Sequence, residues 1–255
     1  MDQLPSDQTG PTVPRSSLIG RLANVYATPG EVFDQVKASP RSILNWLVPC
    51  LILLLVGWLG TRFALSQAVI KQQLRDYEEQ GVQRLVDKGR IPKEQADAAQ
   101  EAGQASLNVR ISSEPLYNAI AVPFLWAVLF WLVGTVPLKG NFTYLKALEV
   151  VGLASMITVL GSVVRTLLIL ATGNFFASPG LMLVVKEFDP QNTLHSVLAA
   201  INIMTFWALA VKAIGLSRLS GASFGKAAIW VFVLWGTWTA LLITVSAGAR
   251  IAFGG

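Results

Sequence analysis

Five stretches of this chain are too long and too apolar for loops or for the surface of a soluble domain. A helix needs about 20 apolar residues to cross a hydrocarbon core of roughly 30 Å. Five segments approach or exceed that length: Ile43 to Gly60 (ILNWLVPCLILLLVGWLG), Leu116 to Leu138, Tyr144 to Thr172, Leu194 to Leu216 and Lys226 to Ala249. Backbone polar groups in lipid must be satisfied within the segment, so the spans are expected to be helices. Pro49, Pro123 and Pro137 lie near span ends or where a membrane helix tolerates a kink. The expected fold is all-α, a polytopic membrane protein with five transmembrane helices. The composition agrees: 14% of the 255 residues are charged, against about 25% in a typical soluble domain.

Orientation follows from lysine and arginine in the short connections. Lys139, Lys146, Lys212, Arg218 and Lys226 lie on one side, and Lys186 and Arg250 on the other. This places the N-terminus in the cytoplasm and the C-terminus outside. The net charge of +5 is thus read as membrane orientation, not as a nucleic-acid surface. The connection 67–115 carries seven basic and eight acidic residues and is nearly neutral. Ile70, Leu74, Tyr77 and Leu85 recur in it at helical spacing, and Pro92 suits the first turn of a second helix. A helical hairpin outside the membrane is expected, either a solvated spacer or a partner-binding element.

Before the first span, residues 1–17 read as a disordered tail. In 18–42, Leu18, Leu22 and Val25 or Tyr26 share one helical face. Thr28, Pro29 and Glu31 form an N-cap, first-turn and capping-box pattern ahead of Val32, Phe33 and Val36. These predict two short amphipathic helices, lying on the membrane surface or packed against the span ends. The remaining 43–255 is one membrane domain.

GASFG, residues 221–225, fits the G-x-S-x-G of a nucleophile elbow, but that turn follows a strand and needs a base. No strand is available here. The single histidine, His195, falls at the opposite end of the membrane from Ser223. Ser223 is read as the cap of the last span, as Thr143 caps the third. TYLKA (143–147) and SFGKA (223–227) share the pattern [ST]-[YF]-x-K-A, with Lys146 and Lys226 in register. Spans two and three then resemble spans four and five as a parallel repeat, or the match follows from shared membrane rules alone. One cysteine, Cys50, allows no intramolecular disulfide and no cysteine-based zinc site. Neither a phosphate-binding loop nor a zinc-protease pair is present. No catalytic residue, metal or cofactor is expected.

Ionisable residues inside spans are functional candidates by default. Arg165 lies deep in span three, with Asn202 or Asn118 as a prospective polar neighbour. It is either a snorkelling or structural group, or a contact for an anionic lipid or substrate. Glu149 sits three residues after Lys146, where a local pair forms readily. Arg62 and Lys212 are read as snorkelling from span ends. Gly236 and Ala240, four apart, allow close helix contact, read first as internal packing.

LIGRLANVYATPGEVFDQV (18–36), the five-span layout and LSRLSGASFGKAAIW (216–230) together resemble the Yip domain family, the Ypt-interacting proteins, over roughly residues 16–250. The resemblance implies a polytopic protein with a cytoplasmic N-terminus. It also implies a scaffold without catalysis, expected to bind other membrane proteins, further copies of itself, or lipids. Eukaryotic members associate with Rab-type GTPases in membrane traffic. This chain has a shorter N-terminal tail and a longer first outer connection. Those differences point away from a GTPase partner and toward the bacterial plasma membrane. The competing expectation is a small oligomeric transporter or lipid-handling protein built on Arg165.

Overall fold

The computed structural model describes residues 16–185, 188–189 and 192–253, and the side chains of 247 and 249–253 are not described. Most of the expected tail 1–17, and Lys186 of the charge count, therefore lie outside the described residues, as does the Arg250 side chain. Ten α-helices are described: α1 (Leu18–Asn24), α2 (Pro29–Ala38), α3 (Leu44–Ser66), α4 (Ala68–Asp87), α5 (Ala96–Leu116), α6 (Val122–Thr135), α7 (Tyr144–Thr172), α8 (Thr193–Ala200), α9 (Ile203–Ser220) and α10 (Phe224–Phe253). No strand occurs among the described residues, only an isolated bridge between Gly180 and Asn202. Five of the helical stretches are long and apolar enough to cross a membrane.

Helix α7 is the axis of the bundle. Its first half is closed off on all sides, every residue from Ala147 to Ile157 being buried. Two glycines let neighbouring backbones in. A Cβ on Gly152 would collide with the Trp46 backbone, and one on Gly60 would collide with Thr166. Both contacts keep the same offset in sequence, so α3 and α7 run parallel and in close contact. Helix α9 runs antiparallel: Gly215 meets Val150, and Gly161 meets Met204. The edges of α7 are punctuated by its sequence. Thr143 Oγ1 accepts from Lys146 N at 3.4 Å, and Gly173 ends the helix at φ 64°.

Three expected spans change shape. The helix that carries the second begins well before Leu116. One 43-residue helical stretch, Lys93–Thr135, runs on from the hairpin and is long and apolar enough to cross a membrane. Pro115 lies inside it, and a π turn at Tyr117–Ala121 precedes Pro123. Proline lacks the N–H that would complete the α-helical ladder, and a wider turn absorbs the mismatch. The fourth span is shorter than Leu194 to Leu216 and is broken at its start. Asn202 Oδ1 accepts from Met204 N at 2.8 Å, capping α9. Leu181 N donates to Ile201 O at 3.2 Å and Ile203 N to Pro179 O at 3.1 Å. The break is thus held by backbone bonds to the preceding loop, and α8 becomes a separate helix against α10. The fifth span, α10, extends beyond Lys226 and Ala249 at both ends.

The amphipathic helices pack on protein. Val32, Phe33 and Val36 of α2 are buried against α7 and α9, and Tyr26 Oη donates to the Met156 carbonyl at 2.8 Å. At the far end of the bundle, α4 and α5 form the hairpin. Ile70, Leu74, Leu107 and Ile111 pack with Ala64, Ile169 and Ala177 in a second apolar cluster. Gln73 fixes the hairpin to the loop after α7, accepting from Phe175 N at 2.8 Å and donating to Asn174 at 3.3 Å. Tyr77, Phe176, Phe188 and His195 continue this attachment as a run of ring contacts.

Candidate functional site

Two polar clusters lie within the bundle. The first is at the end that carries α1 and α2. Glu149 is 1% exposed, and its Oε2 accepts from Asn45 Nδ2 at 2.6 Å. Asn45, itself fully buried, accepts through Oδ1 from Arg21 Nη1 at 3.1 Å. Lys146 Nζ lies 3.1 Å from Glu149 Oε1. An ammonium has three protons. Those of Lys146 go to the carbonyls of Val36 at 2.7 Å, Ser39 at 2.9 Å and Pro40 at 3.3 Å. Glu149 Oε1 therefore receives the charge of Lys146 but no hydrogen bond. The lysine closes the C-terminus of α2, where orphan carbonyls and the helix dipole favour a cation. The arrangement joins α1, α2, α3 and α7 through four side chains. Its chemistry is that of a clamp.

The second cluster is a polar cleft of about 290 Å³ between α6, α7, α9 and α10. Glu114, Asn118, Trp126, Arg165, Lys212 and Trp235 are among its walls. A smaller cavity of about 70 Å³ adjoins it, sharing Glu114, Asn118, Ser162 and Arg165. Arg165 Nη1 lies 3.8 Å from Glu114 Oε1, and its guanidinium sits over Phe175 at 5.6 Å. Asn118 and Asn202 line the same cleft, so the polar neighbours expected for Arg165 do gather around it. Its carboxylate partner, Glu114, belongs in sequence to the connection 67–115 and carries no local signal of this role.

Lys212 corrects the sequence reading. It does not snorkel from a span end. It stands in the middle of α9, is 8% exposed, and holds its ammonium 5.0 Å over the Trp126 ring. Among the described residues it has neither a carboxylate nor a hydrogen-bond acceptor. With Lys212 removed, four basic residues remain in the inner-side charge count, Lys139, Lys146, Arg218 and Lys226. In the α7–α9 register Lys212 lies level with Leu153. Arg165 is twelve residues further along α7, about 18 Å at 1.5 Å per residue. The cleft runs between these two levels.

The other candidates are dispersed. Thr28 occupies the N-cap position of α2, yet its hydroxyl does not cap. It reaches back to the Asn24 carbonyl at 3.5 Å, so the capping box with the exposed Glu31 does not close. Ser223 precedes α10 and its carbonyl accepts from Ala227 N at 3.1 Å, while Lys226 is exposed. His195 Nδ1 accepts from Asp189 N at 3.0 Å, on the opposite end of the bundle from Ser223. Cβ atoms added to Gly236 would meet nothing within 4 Å, so the small-residue pair on α10 does not serve internal packing.

Five membrane-length helices, with a polar clamp at one end and a polar cleft toward the other, define an integral polytopic membrane protein in contact with lipid. The Yip1 domain model matches residues 23–247, nearly the whole chain, and the protein belongs to the Yip1 domain family. Comparisons with curated proteins and with solved structures return no match.

Proposed function

We propose that this protein is a non-catalytic organiser in the membrane, holding partner proteins or further copies of itself through α10. One observation carries the reading. Only 6% of the most apolar stretch of α10 is buried within the protein, against 28–44% for the other four spans. On that open surface Gly236 and Ala240 are four residues apart, a spacing that lets a second helix approach closely. Ile229, Phe232 and Val233 lie on the same helical face, all exposed. The remaining basic residues of the N-terminal end support a cytoplasmic N-terminus, and the long first outer connection, a departure from the eukaryotic pattern, supports a bacterial plasma membrane.

Crosslinking in native membranes, followed by purification and mass spectrometry, tests the proposal. A reproducible adduct through α10 that is lost in Gly236→Ile supports it. Equal crosslinking of wild type and Gly236→Ile refutes it.

A second reading, lipid or anion handling, is favoured by the cleft that holds Arg165 and Lys212. Under that reading Arg165→Gln lowers ligand retention or flux while insertion and crosslinking persist. Under the organiser reading the same change leaves partners in place.

A further inference from the structure

We propose that the cleft between α7 and α9 binds a phosphate-type monoanion, with Lys212 as its principal charge partner. This rests on the lipid- or anion-handling reading above and names the ligand chemistry of that site.

The argument begins with an uncompensated charge. A lysine at the centre of a membrane helix is costly and is normally paired or solvated. Lys212 is buried and central, and what it meets is the face of Trp126. Cation–π attraction offsets only part of the desolvation. The titratable groups lining the cleft are Glu114, Arg165 and Lys212. Glu114 already faces Arg165 at 3.8 Å. One positive charge is left over, at the Lys212 end.

The donors nearby suit an oxyanion. Asn118, Thr158 and Thr205 line the cleft, and no hydrogen bond of their side chains occurs among the described residues. Ser162 is spent on the Thr158 carbonyl at 3.0 Å. The three ammonium protons of Lys212 can serve the oxygens of one phosphate, and the Thr158 and Thr205 hydroxyls and the Asn118 amide line the cleft that leads to it. The volume, about 290 Å³, is close to the lower bound of ordinary small-molecule sites, roughly 300 Å³. A polar path from the level of Arg165 down to Lys212 gives such a group a route toward the bilayer centre. The bilayer itself supplies phosphodiesters, each with one negative charge. A dissolved phosphate would meet the same donors.

The test uses the full chain purified in neutral detergent and equilibrated with equal amounts of phosphatidylglycerol and phosphatidylcholine. Native mass spectrometry reads the ratio of bound lipids. Wild type is expected to favour phosphatidylglycerol at least about tenfold, Lys212→Arg to keep that preference, and Lys212→Met to bring the ratio near one. Circular dichroism and a single monodisperse peak verify that Lys212→Met is folded. The second arm titrates inorganic phosphate and follows tryptophan emission, since Trp126 and Trp235 line the cleft. If phosphate changes the emission of wild type but not of Lys212→Met, and displaces the lipid, the site takes the dissolved anion. If phosphate does neither while the lipid preference depends on Lys212, the source is the headgroup. Equal retention of both lipids by wild type, with no response to phosphate, overturns the proposal. So does a preference or response unchanged in Lys212→Met. Neither of these results alters the crosslinking that tests the organiser reading.

Discussion

Replacing Lys146 by methionine should loosen the whole N-terminal end of the protein, and the cost can be traced to its source. Two losses occur together. The carbonyls of Val36, Ser39 and Pro40 at the end of α2 lose their shared donor, and Glu149, 1% exposed, loses the cation beside it. Removing one partner of a buried ion pair costs about 3–5 kcal/mol, because the remaining charge is stranded. The carbonyls sit nearer the surface and water can replace the lysine there, so most of the cost belongs to Glu149. Glu149→Gln alone should cost about 1–2 kcal/mol, since the new amide keeps an acceptor for Asn45 and loses a charged hydrogen bond. The double variant Lys146→Met/Glu149→Gln should then recover about 2 kcal/mol relative to Lys146→Met. Thermal unfolding in detergent measures all four members of the cycle. Limited proteolysis between Asn24 and Pro40 reports the release of α1 and α2. A double variant no more stable than Lys146→Met would refute the assignment of the cost to a stranded carboxylate.

Further outcomes follow from other parts of the bundle. Gly152→Val drives a side chain into the Trp46 backbone and should prevent the close α3–α7 contact, so that little monodisperse protein is recovered on size exclusion. Asn202→Ala removes the α9 cap and should cost about 1 kcal/mol, read as a lower unfolding midpoint with the lipid-facing spans still inserted. Lys212→Met removes a buried charge whose burial costs about 2.5 kcal/mol or more, partly offset by Trp126. It should therefore raise the unfolding midpoint of delipidated protein, and a lowered midpoint would count against an unpaired lysine. Gln73→Leu breaks both bonds to the loop after α7 and should speed hydrogen exchange in α4 without affecting α7.

The spans were legible because length and apolarity alone determine them. The ends of α7 were legible to the residue, since Thr143 and Gly173 mark them with a cap and a left-handed stop. The break before α9 was not. Apolar residues continue through Ala200, Ile201 and Ile203, and the interruption comes from carbonyl and amide partners in the loop between α7 and α8. Helix continuity through Pro115 was hidden for a similar reason. Proline signals a boundary in water, whereas neighbouring helices in a membrane let the chain continue. The Lys146–Glu149 pair could be read from its spacing along one helix. Asn45 and Arg21 could not, being brought to it by tertiary packing. Position along a span indicates depth, but only the facing residue shows whether a lysine turns toward the interface or, like Lys212, onto a buried tryptophan.

The continuous helical stretch Lys93–Thr135 has a consequence of reach. At 1.5 Å per residue, 43 residues reach about 64 Å, roughly twice the hydrocarbon core. Its outer arm is gripped by α4 and the loop after α7, and its inner arm carries Trp126 over Lys212. The hairpin and the indole that covers the lysine therefore lie on one helical stretch. The π turn at Tyr117–Ala121 is the one wound-out point between the two arms. A partner bound at the hairpin would thus touch the same helical stretch that floors the cleft.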